Sequence, residues 1–359
     1  MSYVAGRSAK GLERELGVSN IVKLGSNENP LGPSPAAVRA LHEASASMHR
    51  YPGVEEDDLR ADIAAAVGLP VENVAIDCGS CGMLLASAAA VLEPGSRAVI
   101  SRPYFKMYEL CALRARAEID WVDPVEYAYD IDAMAAAVRP GTRIVYVTNP
   151  NNPTGLAVSS AEMTRLLAAV PDSVLVVMDE AYMEFVEMLD FPDSVAAVRA
   201  GRNVLVLRTF SKVYGLAGLR VGYGIGPEPL IEQIRSLQPP FHVGLQALVA
   251  ARAAFADTEF VDRSRAHNAS GRAELARALT ALGVRVLPSQ ANHVLIVGLE
   301  DVETIERALL RRGVIVRPTE ASFGLPGCIR VTVGLESDNA AFVRAFGEIL
   351  SDSRLDCSG

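Results

Sequence analysis

Seven short apolar runs, at residues 74–77, 98–101, 119–122, 144–148, 175–179, 204–208 and 220–223, constrain the fold of this chain more than any other feature. They read as apolar along most of their length instead of alternating, which is the pattern of strands buried on both faces. Alanine-rich stretches at helical spacing lie between them, at 59–67, 83–92, 134–138, 162–169 and 229–236. Strand and helix in alternation predict an α/β fold: one mostly parallel, seven-stranded sheet with helices on both faces.

The pattern changes after Leu237-Gln238-Pro239-Pro240. A long helical region is expected over 246–282. Short strands follow at 284–286, 294–297, 314–316 and 329–333, with helices at 302–312 and 339–350. This predicts a smaller α+β domain. The expected division is a segment 1–35 that joins the smaller domain, a large domain 36–245, and an interdomain helix with the small C-terminal domain over 246–359.

Three of the apolar runs end in chemistry. The run at 204–208 leads into T-F-S-K, so Lys212 sits on a polar turn beside Thr209 and Ser211, with Arg220 eight residues on. An amine in a partly dry pocket has its pKa lowered enough to attack a carbonyl. Two hydroxyls and an arginine bind a phosphate dianion. A lysine beside a phosphate site suggests pyridoxal 5′-phosphate (PLP) held as a Schiff base. Upstream, R-I-V-Y-V-T-N-P-N-N-P-T-G sets Asn152 in a turn at a strand's carboxyl end, where open α/β sheets bind ligands. V-L-V-V-M-D-E-A-Y puts Asp179 at the end of another buried strand. A buried carboxylate needs a cationic or strong donor partner, and the protonated ring nitrogen of PLP is such a partner. Tyr182 and Asn152 are within reach of the ring's phenolic oxygen. Taken singly, these motifs also read as a turn, a helix cap and a solvated lysine; their order on one sheet favours the site. Gly79-Ser80-Cys81-Gly82 follows the first run and opens a helix, a cradle for the cofactor phosphate.

With these motifs in this order, the chain resembles the fold-type I PLP-dependent aminotransferases, and within them the histidinol-phosphate aminotransferase family. The similarity runs from Lys23-Leu24-Gly25-Ser26-Asn27-Glu28-Asn29-Pro30-Leu31-Gly32-Pro33-Ser34-Pro35 through Arg50-Tyr51-Pro52 to Gly313-Val314-Ile315-Val316-Arg317-Pro318 and Ile329-Arg330-Val331. The resemblance implies that Lys212 carries the cofactor and shuttles the proton, that Asp179 pairs with the ring nitrogen, and that Asn152 and Tyr182 hold the phenolic oxygen. Phe105 would stack on the ring. Gly79, Ser80, Cys81, Thr209, Ser211 and Arg220 would hold the phosphate. Arg330 would bind an α-carboxylate, Arg317 the phosphate of histidinol phosphate, and Asn29 the substrate. Tyr51 would reach the neighbouring subunit's cofactor, so a homodimer is expected. The reaction implied is amino transfer from L-histidinol phosphate to 2-oxoglutarate, with other aminotransferase donors, or a decarboxylase, cyclase or oxidase, as alternatives.

Composition narrows the partners. The net charge is -9 and the pI about 5.2, which disfavours nucleic acid and anionic membranes. An anionic substrate must then be held by local arginines. No apolar run approaches the roughly 20 residues of a membrane span, and M-S-Y-V-A-G-R-S-A-K lacks a signal-peptide core, so a cytoplasmic location is expected. Five cysteines, Cys78, Cys81, Cys111, Cys328 and Cys357, argue against a disulfide framework. Cys78 and Cys81 form a lone C-x-x-C without the further ligands zinc needs, so no metal is expected.

Three places depart from the family pattern. Cys81-Gly82 replaces an acidic or amide residue followed by glutamate. Lys106 lies beside Phe105, and His242 and Gly244 stand where relatives have asparagines. The last two segments are expected near the substrate pocket, His242 as a loop residue or a catalytic one, Lys106 solvated or touching an anionic substrate.

Overall fold

The computed structural model describes residues 7–17 and 20–356; residues 1–6 and 18–19 of the expected N-terminal segment, and Cys357, lie outside them. The strands are β1 (Val22–Lys23), β2 (Val74–Asp77), β3 (Arg97–Ser101), β4 (Glu118–Val122), β5 (Thr142–Thr148), β6 (Leu175–Asp179), β7 (Val204–Thr209), β8 (Gly222–Ile225), β9 (Arg285–Val286), β10 (His293–Val297), β11 (Val314–Ile315), β12 (Arg317–Pro318) and β13 (Cys328–Thr332). Strands β2 to β8 form one seven-stranded sheet in the order β2-β8-β7-β6-β5-β3-β4. From β7 to β4 every pair is parallel, while β8 runs antiparallel to both neighbours. This is the mostly parallel sheet expected from the apolar runs.

Side chains alternate across the sheet. Val145, Val147, Val176, Met178, Val204 and Val206 enter the core on one face, and Ile144, Tyr146, Leu175, Val177, Leu205 and Leu207 the core on the other. Each such aliphatic side chain removed from water contributes about 1.5–3 kcal/mol. The same period of two sorts the chemistry at the carboxyl edge. Thr148, Asp179 and Thr209 continue the face of Tyr146, Val177 and Leu207. Arg208 and Glu180 fall on the opposite side, where they pair at 2.9 Å.

Two expected boundaries shift. Strand β8 starts two residues later than the run at 220–223, because Arg220 sits in the left-handed region at φ 54. The region 246–282 is two helices, Leu245–Ala256 and Thr258–Ala281. Asp257 divides them, its carboxylate accepting from Phe260 N at 3.2 Å to cap the second. Helices Pro35–Ala44 and Met107–Arg114 were not anticipated.

The chain's second assembly is a four-stranded antiparallel sheet, β12-β13-β10-β9. Leu275, Ile296, Val331, Phe342 and Phe346 fill the core between it and the helices Thr258–Ala281, Val302–Arg311 and Glu336–Asp356. Near the N-terminus, β1 pairs in parallel with β11, and Leu24 enters this same core. Among the described residues no helix is long and apolar enough to cross a membrane, and no three His, Cys, Asp or Glu side chains cluster as a metal site.

Candidate active site

The carboxyl ends of β5, β6 and β7, the start of helix Gly79–Val91, residues 25–28 and the β12–β13 pair surround a cavity of about 250 Å³. Three corners of it are chemically distinct.

The first corner suits an anion. Helix Gly79–Val91 begins without a side-chain cap, so the N–H groups of its first turn remain available at the positive end of the helix dipole. Ser80 and Cys81 line the cavity there. Gly79 does not line it; its left-handed backbone at φ 73 favours glycine, and a Cβ on it would also crowd Arg220 Nη2 at 2.7 Å. A Cβ on Gly222 would meet Ser80 N at 2.7 Å. These two glycines let strand, helix start and arginine converge. Arg220 Nη1 donates to Ser211 Oγ at 3.1 Å, and Ser211 N donates to Thr209 Oγ1 at 3.1 Å. The left-handed backbone that aims Arg220 this way costs about 1 kcal/mol, a strain of the kind kept at functional sites.

The second corner suits a cationic ring N–H. Asp179 is 3% exposed. Its Oδ2 accepts from Tyr108 OH at 2.8 Å, while its buried Oδ1 has no partner within the protein. Burial pushes this carboxyl up to about 6, against the pull of the Tyr108 hydrogen bond and of the Ala181 backbone N–H. Phe105 lines the cavity alongside.

At the third corner Lys212 Nζ donates to Asn27 O at 3.3 Å and lies 5.5 Å from the centre of the Tyr182 ring. Burial, with the Arg330 guanidinium next, pulls the amine down to about 8. Arg317 and Arg330 face each other in register across β12 and β13, so their side chains share one face, and both line the cavity. Arg330 donates to Asn152 Oδ1 at 2.7 Å and to Gly25 O at 2.6 Å. Like charges directly opposite are unfavourable unless an anion joins them. The lining thus sets Lys212, Arg220, Arg317 and Arg330 against the carboxylates of Asp179 and Glu28, in a chain whose net charge is -9.

Several expected residues are elsewhere. Asn29 is turned away: its Nδ2 donates to Val213 O and Ser264 Oγ, and its Oδ1 accepts from Leu31 N. It braces the loop, and Asn27, two residues earlier, takes the place at the cavity. Lys106 pairs with Glu109 and lies near Tyr104, outside the lining. His242 Nε2 lies 3.1 Å from Ile76 O, and Gly244 precedes helix Leu245–Ala256; neither lines the cavity. Both segments were expected nearer the substrate. Of the three family departures only Cys81 reaches the site. Tyr51 is 79% exposed and stacks on Phe241 at 4.6 Å, away from the cavity of its own chain.

Sequence reasoning also passed over Tyr108, Thr148, Asn27 and His293. Tyr108 lies three residues after Phe105 on the Met107–Arg114 helix, and only that spacing hinted at it.

An unpartnered buried carboxylate oxygen, an uncapped helix start beside Arg220, and a lysine of lowered pKa match the ring nitrogen, phosphate and aldehyde of PLP. The comparisons agree. The model of the aminotransferase class I and II family matches residues 19–346. A histidinol-phosphate aminotransferase from Moorella thermoacetica is 44% identical over 97% of this chain and 90% of its own length. Histidinol-phosphate aminotransferase 1 from Nitrosococcus oceani is 41% identical over 98% and 95%. The crystal structure of histidinol-phosphate aminotransferase from Sinorhizobium meliloti, in complex with pyridoxal-5′-phosphate, superposes with a TM-score of 0.86 at 26% identity, over 97% of this chain and 96% of that one. The chain belongs to the class I and II aminotransferases. It is an α/β transferase of fold type I that uses PLP to exchange an amino group between an amino donor and a 2-oxo acid.

Proposed function

We propose that this enzyme transfers the amino group of L-histidinol phosphate to 2-oxoglutarate, in two half-reactions at one site. The observation that carries this reading is the register pair Arg317 and Arg330, two guanidinium groups on one face beside Lys212. One amino substrate carries a phosphate and no carboxylate, and the other carries carboxylates. Two adjacent arginines suit both in turn, because each forms bidentate hydrogen bonds with either anion. The relatives' names support the same donor.

When bound, PLP supplies a carbonyl carbon that condenses with amines and a ring that takes up the electron pair left at Cα. Lys212 would hold the cofactor and, as a free amine, would carry a proton between substrate Cα and cofactor C4′. Asp179 keeps the proton on the ring nitrogen. Asn152 and Tyr182 orient the phenolic oxygen, and Phe105 covers the ring. Thr209, Ser211, Arg220 and the start of helix Gly79–Val91 anchor the phosphate. Arg330 binds the α-carboxylate of glutamate and 2-oxoglutarate, and Arg317 the phosphate of histidinol phosphate. A cytoplasmic location fits this role.

The test is a single-turnover absorbance measurement on the loaded enzyme. L-Histidinol phosphate is expected to convert the lysine-bound cofactor rapidly into its aminated form. An unchanged spectrum, with glutamate still active, would redirect the assignment to an aminotransferase of other specificity. In the same assay Arg317→Ala should lose roughly 10- to 100-fold more with histidinol phosphate than with glutamate, about 1.5–3 kcal/mol for a charged hydrogen bond. Equal losses would remove its phosphate role.

The working unit in this reading is a homodimer in which Tyr51 completes the neighbour's phosphate site. Support comes from the exposed apolar patch of Met48, Tyr51, Val54 and Phe241, between 55% and 79% exposed. Sedimentation should give twice the chain mass, and Tyr51→Phe should weaken PLP binding by about tenfold, one lost charged hydrogen bond. A fully active monomer would sink this assignment.

A further inference from the structure

His293, on β10, is fully buried, and its ring stands edge-on to Tyr182 at 5.4 Å. A histidine without water is held by the hydrogen bonds it makes. Its Nδ1 lies 2.9 Å from Asn27 Nδ2, and the same amide nitrogen donates to Tyr182 OH at 3.0 Å. Both amide hydrogens of Asn27 are therefore committed, one to each ring residue.

The direction of these bonds follows from Thr332. The backbone N–H of Asn27 donates to Thr332 Oγ1 at 2.9 Å, so that oxygen accepts there. Its own hydrogen then goes to Asn27 Oδ1 at 3.0 Å. With Oδ1 accepting, Nδ2 must face Tyr182 and His293. Nδ1 of His293 is consequently the acceptor, and the neutral ring carries its hydrogen on Nε2, a buried nitrogen with no hydrogen-bond partner among the described residues. Burial, helped by the charges of Arg330 and Lys212, holds the ring's pKa well below 6.5, which keeps this tautomeric form neutral. The loop is pinned from its backbone as well, since Asn27 O accepts from Lys212 Nζ and from Asn292 Nδ2.

The consequence reaches Tyr182. Its oxygen already accepts from Asn27, so its own hydrogen is left to point into the cavity. If the Asn27 amide were turned over, Oδ1 would face Tyr182, the tyrosine would donate to it, and only a lone pair would face the cavity. Turning it over also requires His293 to move its hydrogen to Nδ1. We infer that His293 is a positioning residue: by accepting from Asn27 it fixes the direction of the Tyr182 hydroxyl, so that Tyr182 donates to the cofactor's phenolic oxygen. This rests on the proposed role of Tyr182.

A donor at that oxygen stabilises its anion and lowers the pH at which the bound cofactor changes its visible spectrum. The experiment titrates the spectrum of the PLP-loaded enzyme in His293→Phe, His293→Asn and Tyr182→Phe. His293→Phe, which fills space without an acceptor, should raise the spectral midpoint by about one pH unit, with kcat reduced and KM little changed. His293→Asn, whose side-chain oxygen replaces Nδ1, should remain near the wild-type midpoint. Tyr182→Phe should raise it at least as far as His293→Phe. If Tyr182→Phe moves the midpoint and His293→Phe does not, the inference fails while the role of Tyr182 stands. If the two His293 variants move equally, packing and not the acceptor is responsible, and the inference also fails. If Tyr182→Phe leaves the midpoint in place, the underlying reading of Tyr182 is wrong. Should His293→Phe fail to load cofactor, His293→Leu serves in its place.

Discussion

Lys212→Ala is expected to lower multiple turnover at least about 10⁴-fold, because it would remove both the proposed covalent attachment and the proposed proton carrier. PLP should still bind through its phosphate and ring contacts, but with the spectrum of the free aldehyde. Retained turnover with the wild-type spectrum would refute the mechanism. The pH dependence of loading tests the same amine in the intact apoprotein. Lys212 falls from 10.5 to about 8 through burial and the charge of Arg330, so its reactive neutral form grows as pH rises through 8. At pH 7 about a tenth of it is neutral, roughly 300-fold more than an ordinary lysine would offer. The rate of PLP capture should rise about tenfold per unit below pH 8 and level off above it. A rate still climbing at pH 10 would show that the pocket does not lower this pKa.

Asp179→Asn should be the second most damaging change. The variant keeps the shape and the Tyr108 contact but presents no charge to the ring nitrogen. Leaving a buried cation without its partner costs about 3–5 kcal/mol, so amino transfer should fall about 10³-fold. Stability of the apoprotein should move the other way. The carboxyl's pKa rises from 3.8 in the unfolded chain to about 6 when folded. Its contribution is therefore fully present below pH 3.8 and lost as pH rises through 6. Above that pH the buried charge costs the apoprotein about 3 kcal/mol, which an asparagine does not incur. Apo Asp179→Asn should thus unfold at higher urea than apo wild type at pH 7, with the gap closing near pH 4. Cofactor should narrow or reverse it. A variant that is both active and no more stable would rule out an ion pair at this position.

The orphan Oδ1 of Asp179 and the lowered pKa of Lys212 describe one design. The apoprotein holds two groups in states that burial disfavours, and in the proposed reading the cofactor would relieve both, the carboxylate by a cationic N–H and the amine by a covalent bond. Cofactor binding and folding stability are coupled on this account.

Much of this was legible in the chain. Sheet strands showed because both faces are dry, so β2, β5, β6 and β7 appear as nearly unbroken apolar runs that end in polar residues. Lys212, Asp179 and Asn152 stand at or just beyond three such ends. Gly79 was legible as part of a phosphate cradle, while the close approach of Gly222 to Ser80 N appeared only in the structure. What could not be read were contacts between elements far apart in sequence. Asn27 meets His293 and Thr332 across 266 and 305 residues, and no local period encodes such a meeting. Asn29 was the asparagine expected at the substrate, and only the loop's turn brought Asn27 to the cavity instead. Lys106, beside Phe105, and His242, where relatives have an asparagine, were expected near the substrate, yet an ion pair with Glu109 and a contact to the Ile76 carbonyl hold their side chains elsewhere. The sequence by itself determined the sheet, the lysine and its carboxylate, because burial and strand ends are local facts. Only the tertiary structure decided the pairing of Arg317 with Arg330 and the direction of the Tyr182 hydroxyl, because register and hydrogen-bond polarity exist only once separate segments have met.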